Sequence, residues 1–172
     1  MVEQQLTLSK SLLAELQNKH GKVLHKSILQ SAVSQLCLAL ALYLQEISPQ
    51  LNHGDCFSSL DALLARLARE QEAGKMLHQK LNELCAMYRS QDSWVAFLVS
   101  VQSSLVYTLG QWRLVNRLNA IDATDSSQLI ATSGAQDTLL LHWSQCSLAQ
   151  LLEVHHDMAI LVSRHREFEL EY

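Results

Sequence analysis

The sequence predicts an all-α fold: a single domain over residues 1–172, built as an antiparallel bundle of about six helices with one long loop at 116–135. Its 172 residues are enough to bury a hydrophobic core without disulfides or a metal. Leucine occurs 34 times, against 15 for valine and isoleucine together, which favours helix over strand. Five glycines and one proline are too few for the many tight turns of a β-sandwich or barrel.

The first two helices are predicted on either side of Gly21. The first runs from about residue 3 to His20, with Gly21 as a left-handed C-cap and four leucines on the apolar face: Leu8, Leu12, Leu13 and Leu16. The second runs from Lys22 to about Ser48, and its apolar residues recur at alternating steps of four and three: Leu29, Val33, Leu36, Leu40, Tyr43 and Ile47. Because further leucines widen this stripe, the pattern indicates a helix inside a bundle rather than a free coiled coil.

Three more helices are predicted in the middle of the chain. A loop beginning at Pro49 precedes a helix that starts near Ser58, and Gly74 separates that helix from the next one. A cap around Ser90 to Asp92 opens the most apolar helix, from Trp94 to about Val115. One face of this helix carries residues that are mostly small and all uncharged: Ala96, Ser100, Ser103, Tyr107 and Gly110. Either other helices of the chain cover this face or it is an exposed interface.

The last third of the chain begins with the long loop. Residues 116–135 are rich in turn formers, and a loop of this length inside a compact domain is a candidate contact region. Two pairs then have the spacing of a capping box, Ser133 with Gln136 and Ser147 with Gln150. The remainder is therefore either one long helix or two helices that meet near Ser144.

The charge of the chain argues against nucleic acid as a partner. Thirteen basic and 17 acidic residues give a net charge of -4, the wrong sign for a protein that neutralises phosphates. Four basic and nine acidic residues fall within 91–172, so the acidity is concentrated in the last half. A solvated helix face explains this run better than an acidic docking surface does.

Cysteine usage and hydropathy predict a cytoplasmic protein. The four cysteines lie far apart and form no Cys-x-x-Cys pair, which is typical of buried thiols in a reducing compartment. The first residues lack the basic and apolar regions of a secretory signal. Residues 27–45 and 93–112 are free of charge over membrane-like lengths, but both contain several serines and glutamines, which are costly in a bilayer. We expect no membrane span.

One pair of residues has metal-ligand spacing. Glu153 and His156 form Glu-x-x-His, which supplies half of a di-metal site in ferritin-like bundles. The pair is not repeated, and helical geometry turns it toward water, opposite the predicted buried face: Leu151, Val154, Met158 and Leu161. We therefore expect no metal and no cofactor. His155 and His165 fall near the buried face, and we predict hydrogen-bonded core histidines rather than catalytic ones.

The function expected from the sequence is that of an interaction protein, an adaptor or small regulatory subunit that binds a protein partner or itself. Charged residues make up 17% of the chain, where about 25% is ordinary, so many surface positions are neutral. No glycine-rich phosphate loop or nucleophile–base order can be singled out, and no catalytic residue is proposed. The alternative is an enzyme or ligand-binding bundle whose pocket is lined by aromatic residues: Trp94, Tyr107, Trp112 or Trp143.

Several segments resemble a family of short uncharacterised all-helical proteins from gammaproteobacteria, a domain of unknown function of about this length. They are Asn18-Lys19 before the long helix, Asp92-Ser93-Trp94 at the start of the apolar helix, the run Leu129 to Ser133, and Arg164-His165-Arg166 near the end. The resemblance covers most of the chain. It implies a cytoplasmic helical protein and implies nothing about mechanism.

Overall fold

The computed structural model describes residues 1–51, 59–105 and 143–170, with side chains described as far as residue 167. These residues form helices α1 (Val2–Glu15), α2 (Lys22–Ile47), α3 (Leu60–Glu72), α4 (Gln79–Arg89), α5 (Trp94–Leu105) and α6 (Leu148–Leu170), with a short 3-10 helix at Trp143–Gln145. No strand occurs within the described ranges. The all-α prediction is confirmed, whereas the predicted loop at 116–135 and the cap at Ser133 lie outside the described residues.

Helix α2 is the centre of the bundle. It packs against α1, α4, α6 and the 3-10 helix, and it supplies the largest share of the buried core. The predicted stripe along α2 is buried from Leu29 to Tyr43, and its last member, Ile47, is half-buried. The stripe therefore faces the bundle core, as the spacing of its apolar residues predicts.

Helix α2 is also the one described helix that is long and apolar enough to cross a membrane. Within its most apolar 18-residue window, 61% is buried inside the protein itself. A central core helix has the same length and composition as a membrane span, because both are apolar around most of their circumference.

The end of α1 differs from the prediction. The helix stops at Glu15 rather than at His20, and the His20 ring donates a hydrogen bond to the Glu15 carbonyl over 2.9 Å. Gly21 is extended, with φ −63° and ψ 149°, and is the N-cap of α2 rather than a left-handed C-cap. Among the described residues, the glycine with a left-handed backbone is Gly74, φ 84°, which follows α3 and lets the chain turn where a side chain would be strained.

The buried face of α1 also differs from the prediction. Leu8 is 50% exposed, although the spacing of the leucines placed it on the apolar face. The face that packs on the bundle consists of Val2, Leu6, Ser9, Leu13 and Leu16. The Ser9 hydroxyl can be buried because it donates to the Leu6 carbonyl over 2.8 Å, so no polar group is left unpaired.

Side-chain caps fix four of the described helix starts, including that of α4, where His78 Nδ1 accepts the Lys80 amide. Ser147 and Gln150 form the predicted capping box: the Gln150 amide donates to Ser147 Oγ over 3.2 Å, and the Ser147 amide donates to Gln150 Oε1 over 2.9 Å. Ser93 accepts from the first turn of α5, and the cap of α3 is Ser59, one residue later than predicted. Ser58 itself lies outside the described residues.

Helix α5 is tied to its neighbours by two buried polar side chains. Gln102 Oε1 accepts the Leu60 amide of α3 over 2.9 Å, and Ser104 Oγ accepts the Trp143 amide over 3.0 Å. The small uncharged face of α5 is half-buried where it is described, at Ala96, Ser100 and Ser103. Its other two members, Tyr107 and Gly110, lie outside the described residues.

Candidate functional site

The residues singled out from the sequence are not brought together. Trp94 and Trp143 are buried in the core, while Tyr107 and Trp112 lie outside the described residues. Glu153 and His156 are both exposed, facing solvent as the helical geometry predicts. In the part of the chain that the structure describes, no group of three or more His, Cys, Asp or Glu side chains could hold a metal ion.

The most connected polar residues are three consecutive ones on α6, Arg164, His165 and Arg166, which we call the polar clamp. Arg164 and His165 reach Glu83 on α4, and His165 also reaches Tyr43 on α2. Arg166 contacts α2 and α1. The clamp therefore joins α6 to three other helices at one end of the bundle.

His165 is the buried member of the clamp. Its side chain and that of Tyr43 are buried, and the two rings stack with centroids 5.9 Å apart. His165 Nε2 lies 2.8 Å from Glu83 Oε2; because an ionised carboxylate only accepts, Nε2 carries the hydrogen and donates it. The Tyr43 hydroxyl hydrogen-bonds to Nδ1. His165 is thus a hydrogen-bonded core histidine, which confirms the prediction.

Glu83 connects the clamp to solvent. Partial burial acts to raise the pKa of its carboxyl group, but the His165 hydrogen bond and the Arg164 guanidinium outweigh burial and hold that pKa below its ordinary value of 4.5. The carboxylate is therefore stabilised in its ionised form by two groups from the facing helix.

We expect Glu83 to make the fold sensitive to acid. Because its pKa is lowered in the folded state, its contribution to stability is complete above the unfolded value and is lost as the pH falls below about 4.5. Urea midpoints measured from neutral to acid pH should fall less steeply for Glu83→Gln than for the wild type. Equal slopes for the two proteins below about pH 4.5 would contradict the lowered pKa.

Arg166 fixes α1 against α6. Its Nε and Nη2 bind the two Glu46 oxygens over 2.9 and 3.0 Å, and its Nη1 lies 2.5 Å from Glu3 Oε1. The paired contact with Glu46 holds the guanidinium plane in one orientation. Arg166 therefore closes one end of the space between α1 and α6.

The order tyrosine, histidine, carboxylate resembles the hydrogen-bonded arrangement of a general base and its orienting group. A reactive hydroxyl must reach a substrate, however, and the Tyr43 side chain is 1% exposed in the core. The Tyr43, His165 and Glu83 arrangement therefore joins α2, α6 and α4, whereas Arg166 is the member of the clamp that reaches α1.

A groove of about 360 Å³ runs between α1 and α6. Its floor is apolar, formed by Leu6, Ala159 and Val162, and its rim is polar: Glu3, Thr7, Lys10, His155, Ser163, Arg166 and Glu167. His155 Nε2 donates to the Leu6 carbonyl over 3.0 Å, because a carbonyl only accepts; Nδ1 is left as an acceptor. The predicted hydrogen bond of His155 is confirmed, but the side chain is half-buried at the rim of the groove and is not a core residue.

The two ends of the groove carry opposite charge. Lys10 is exposed at one end and has no ion-pair partner among the described residues. At the other end Glu3 and Glu167 accompany Arg166, whose charge is already shared with Glu46. Glu3 and Lys10 are seven residues apart, about 10 Å along the helix, so the groove has an acidic end and a basic end.

Local sequence patterns do not predict this groove, and the contact region that they do predict, at 116–135, lies outside the described residues. Arg166 and Glu46 are 120 residues apart in sequence, so no local spacing connects them. The one usable signal is the opposite charge of Glu3 and Lys10 on the same face of α1.

Comparison with known proteins adds no relative to these observations. No protein-family model, curated protein or solved structure matches the chain. The contacts of the described residues are therefore the basis for any proposal about function.

Proposed function

We propose that this chain is a cytoplasmic helical interaction protein, an adaptor or small regulatory subunit, which binds a helix of a protein partner in the groove between α1 and α6. The observation that carries the proposal is the groove itself, an apolar floor between two charged rims. Helix-in-groove recognition uses such a surface, with apolar anchors on the floor and charges at the rim that fix direction.

The lining of the groove supports binding over catalysis. An active site brings a nucleophile and a base within hydrogen-bond reach of one another. His155 and Ser163 are eight residues apart on α6, about 12 Å along the helix, and the Ser163 hydroxyl donates to Glu167 on its own helix. Among the described residues, no observation favours the alternative of an enzyme or a small-ligand bundle.

The remaining parts of the proposal concern the class of partner and the location of the protein in the cell. The acidic balance disfavours nucleic acid, and burial of α2 within the chain favours a protein that stays outside the membrane. The resemblance to the gammaproteobacterial helical family belongs to the same proposal, with the cytoplasmic location that it implies.

Affinity purification from the native host tests the groove with two adjacent variants. Ala159→Arg places a charged side chain on the floor, whereas Ile160→Arg makes the same chemical change at a position that is 51% exposed beside the groove. Circular dichroism should show both variants folded, because the arginine can extend from the half-buried floor into water.

We expect a protein that co-purifies with the tagged wild type and with Ile160→Arg to be lost from Ala159→Arg. An arginine on the floor blocks the apolar anchor of a partner helix and leaves its charge against apolar surface. Retention of every partner by Ala159→Arg, or equal loss from both variants, would contradict the groove as the binding surface.

A further inference from the structure

We propose that the helix bound at the α1–α6 groove is α1 of a second copy of this chain, paired antiparallel about a two-fold axis. This inference rests on the proposed function, because it names the partner of the same surface.

The charge pattern of the groove is self-complementary. A two-fold axis brings each residue of a surface patch against the patch of the partner in the reverse direction. On α1, Glu3 and Lys10 lie at equal distances from a point between Leu6 and Thr7. A two-fold axis through that point places the basic end of each copy against the acidic end of the other. The dimer then contains two equivalent contacts between opposite charges.

The charged side chains needed for this pairing lie on the surface of the protein. Lys10 is exposed and has no ion-pair partner within the described ranges. Glu167 is exposed and accepts one hydrogen bond from Ser163 of its own helix. The Glu3 side chain is 77% exposed even though Arg166 binds one of its oxygens. Lys10 of one copy can therefore reach two carboxylates of the other.

The apolar floor adds a hydrophobic contact to the ion pairs. Leu6, Ala159 and Val162 line the groove between the helices, and Thr7 lies on the rim next to the axis. Leu6 and Val162 are 8% and 3% exposed, so a second copy would cover mainly the half-buried Ala159 and the exposed Thr7. The polar rim would then surround an apolar centre, which is the usual layout of a protein interface.

The size of the surface predicts a weak dimer. Helix α1 has 14 residues, about 21 Å in length, and neighbouring helices lie about 10 Å apart, so the face of two helices offers roughly 400 Å² on each copy. A stable interface buries about 800 Å² on each partner. We therefore expect self-association that is weak, concentration-dependent and reduced by salt.

Charge reversal at the two ends of the groove tests the pairing. Lys10→Glu places a carboxylate against the acidic end of the second copy, and Glu167→Lys places an ammonium against Lys10. Each variant alone should self-associate at least about tenfold more weakly than the wild type, since each replaces two symmetric attractions by two repulsions. An equimolar mixture should recover part of the association. The carboxylate introduced by Lys10→Glu then faces the ammonium introduced by Glu167→Lys, and Lys10 of the second variant faces Glu3 and Glu167 of the first, so one like-charged contact with Glu3 remains.

Light-scattering mass against concentration, at low and at physiological salt, measures all three samples, with circular dichroism as a check of folding. Glu153→Lys is the matched control: it makes the same charge change on the exposed outer side of α6 and should behave as the wild type does. Support requires dimer formation by the wild type and by the mixture, and weakened association in each single variant.

Three results would overturn the proposal: a wild type that stays monomeric up to its solubility limit, a mixture no heavier than the single variants, or an equal loss in Glu153→Lys. If Ala159→Arg still loses a co-purifying partner while the wild type is monomeric, the second copy is wrong and the groove remains a binding surface. If neither experiment responds to changes in the groove, both proposals are wrong.

Discussion

Replacing His165 with alanine is expected to lower the free energy of unfolding by about 3 kcal/mol. The substitution removes the hydrogen bonds to Tyr43 and Glu83 and leaves a cavity where the buried ring stacks on Tyr43. Urea denaturation followed by circular dichroism measures the loss. The effect should be among the largest of any polar residue in the described part of the chain, because the broken network is buried.

Arg164→Ala is the control for this substitution. Arg164 also binds Glu83, but its side chain is 48% exposed, so solvent screens the pair and we expect a loss of less than about 1 kcal/mol. Similar losses for the two variants, or a loss below about 1 kcal/mol for His165→Ala, would show that the buried part of the clamp does not stabilise the bundle.

Leu13→Ala is expected to lower the free energy of unfolding by about 2–5 kcal/mol, and Leu8→Ala by no more than about 0.5 kcal/mol. Leu13 lies on the packed face of α1 and is 0% exposed, whereas Leu8 on the same helix is 50% exposed. The pair makes the same chemical change in the same helix, so differences in helix propensity cancel. Chemical denaturation of the two variants measures the contrast. Losses of equal size would mean that α1 packs through the face predicted from its leucines.

The central helix and the polar histidines could be predicted from the sequence because their signals are long or local. Helix α2 repeats its apolar spacing over nearly its whole length, and this spacing predicts which side of the helix is buried. His165 falls on the buried stripe of another long helix and the half-buried His155 lies beside it, and imidazoles removed from water find hydrogen-bond partners. The capping box at Ser147 is also local, since both of its hydrogen bonds join residues three apart.

The face of α1 could not be predicted in the same way. The helix is short, and a buried serine, Ser9, replaces an apolar residue in the stripe while Leu8 lies outside it. Serine can do so because its hydroxyl bonds its own helix at Leu6, a bond that composition does not reveal. The end of α1 was misplaced for a related reason: Gly21 permits a left-handed cap, but the chain uses it to begin the next helix.

The candidate site depends on contacts that are distant in sequence. Arg166 bonds Glu46 across 120 residues and Glu3 across 163 residues, so the groove takes shape only when α1, α2 and α6 pack together. The run Arg164-His165-Arg166 is visible in the sequence as a basic segment near the end of the chain. Its physical meaning, three side chains reaching three helices, came from the packing.

The claim that a second copy of the chain binds at the groove between α1 and α6 is tested most directly by a nuclear magnetic resonance dilution series. We predict that amide signals of residues around the groove, such as Thr7 and Ala159, shift as the protein concentration is raised and return when salt is added. Signals from α4, Gln79–Arg89, should remain in place. Concentration-dependent shifts that map to α4 while the groove signals stay fixed, or no shifts at any concentration, would contradict the claim.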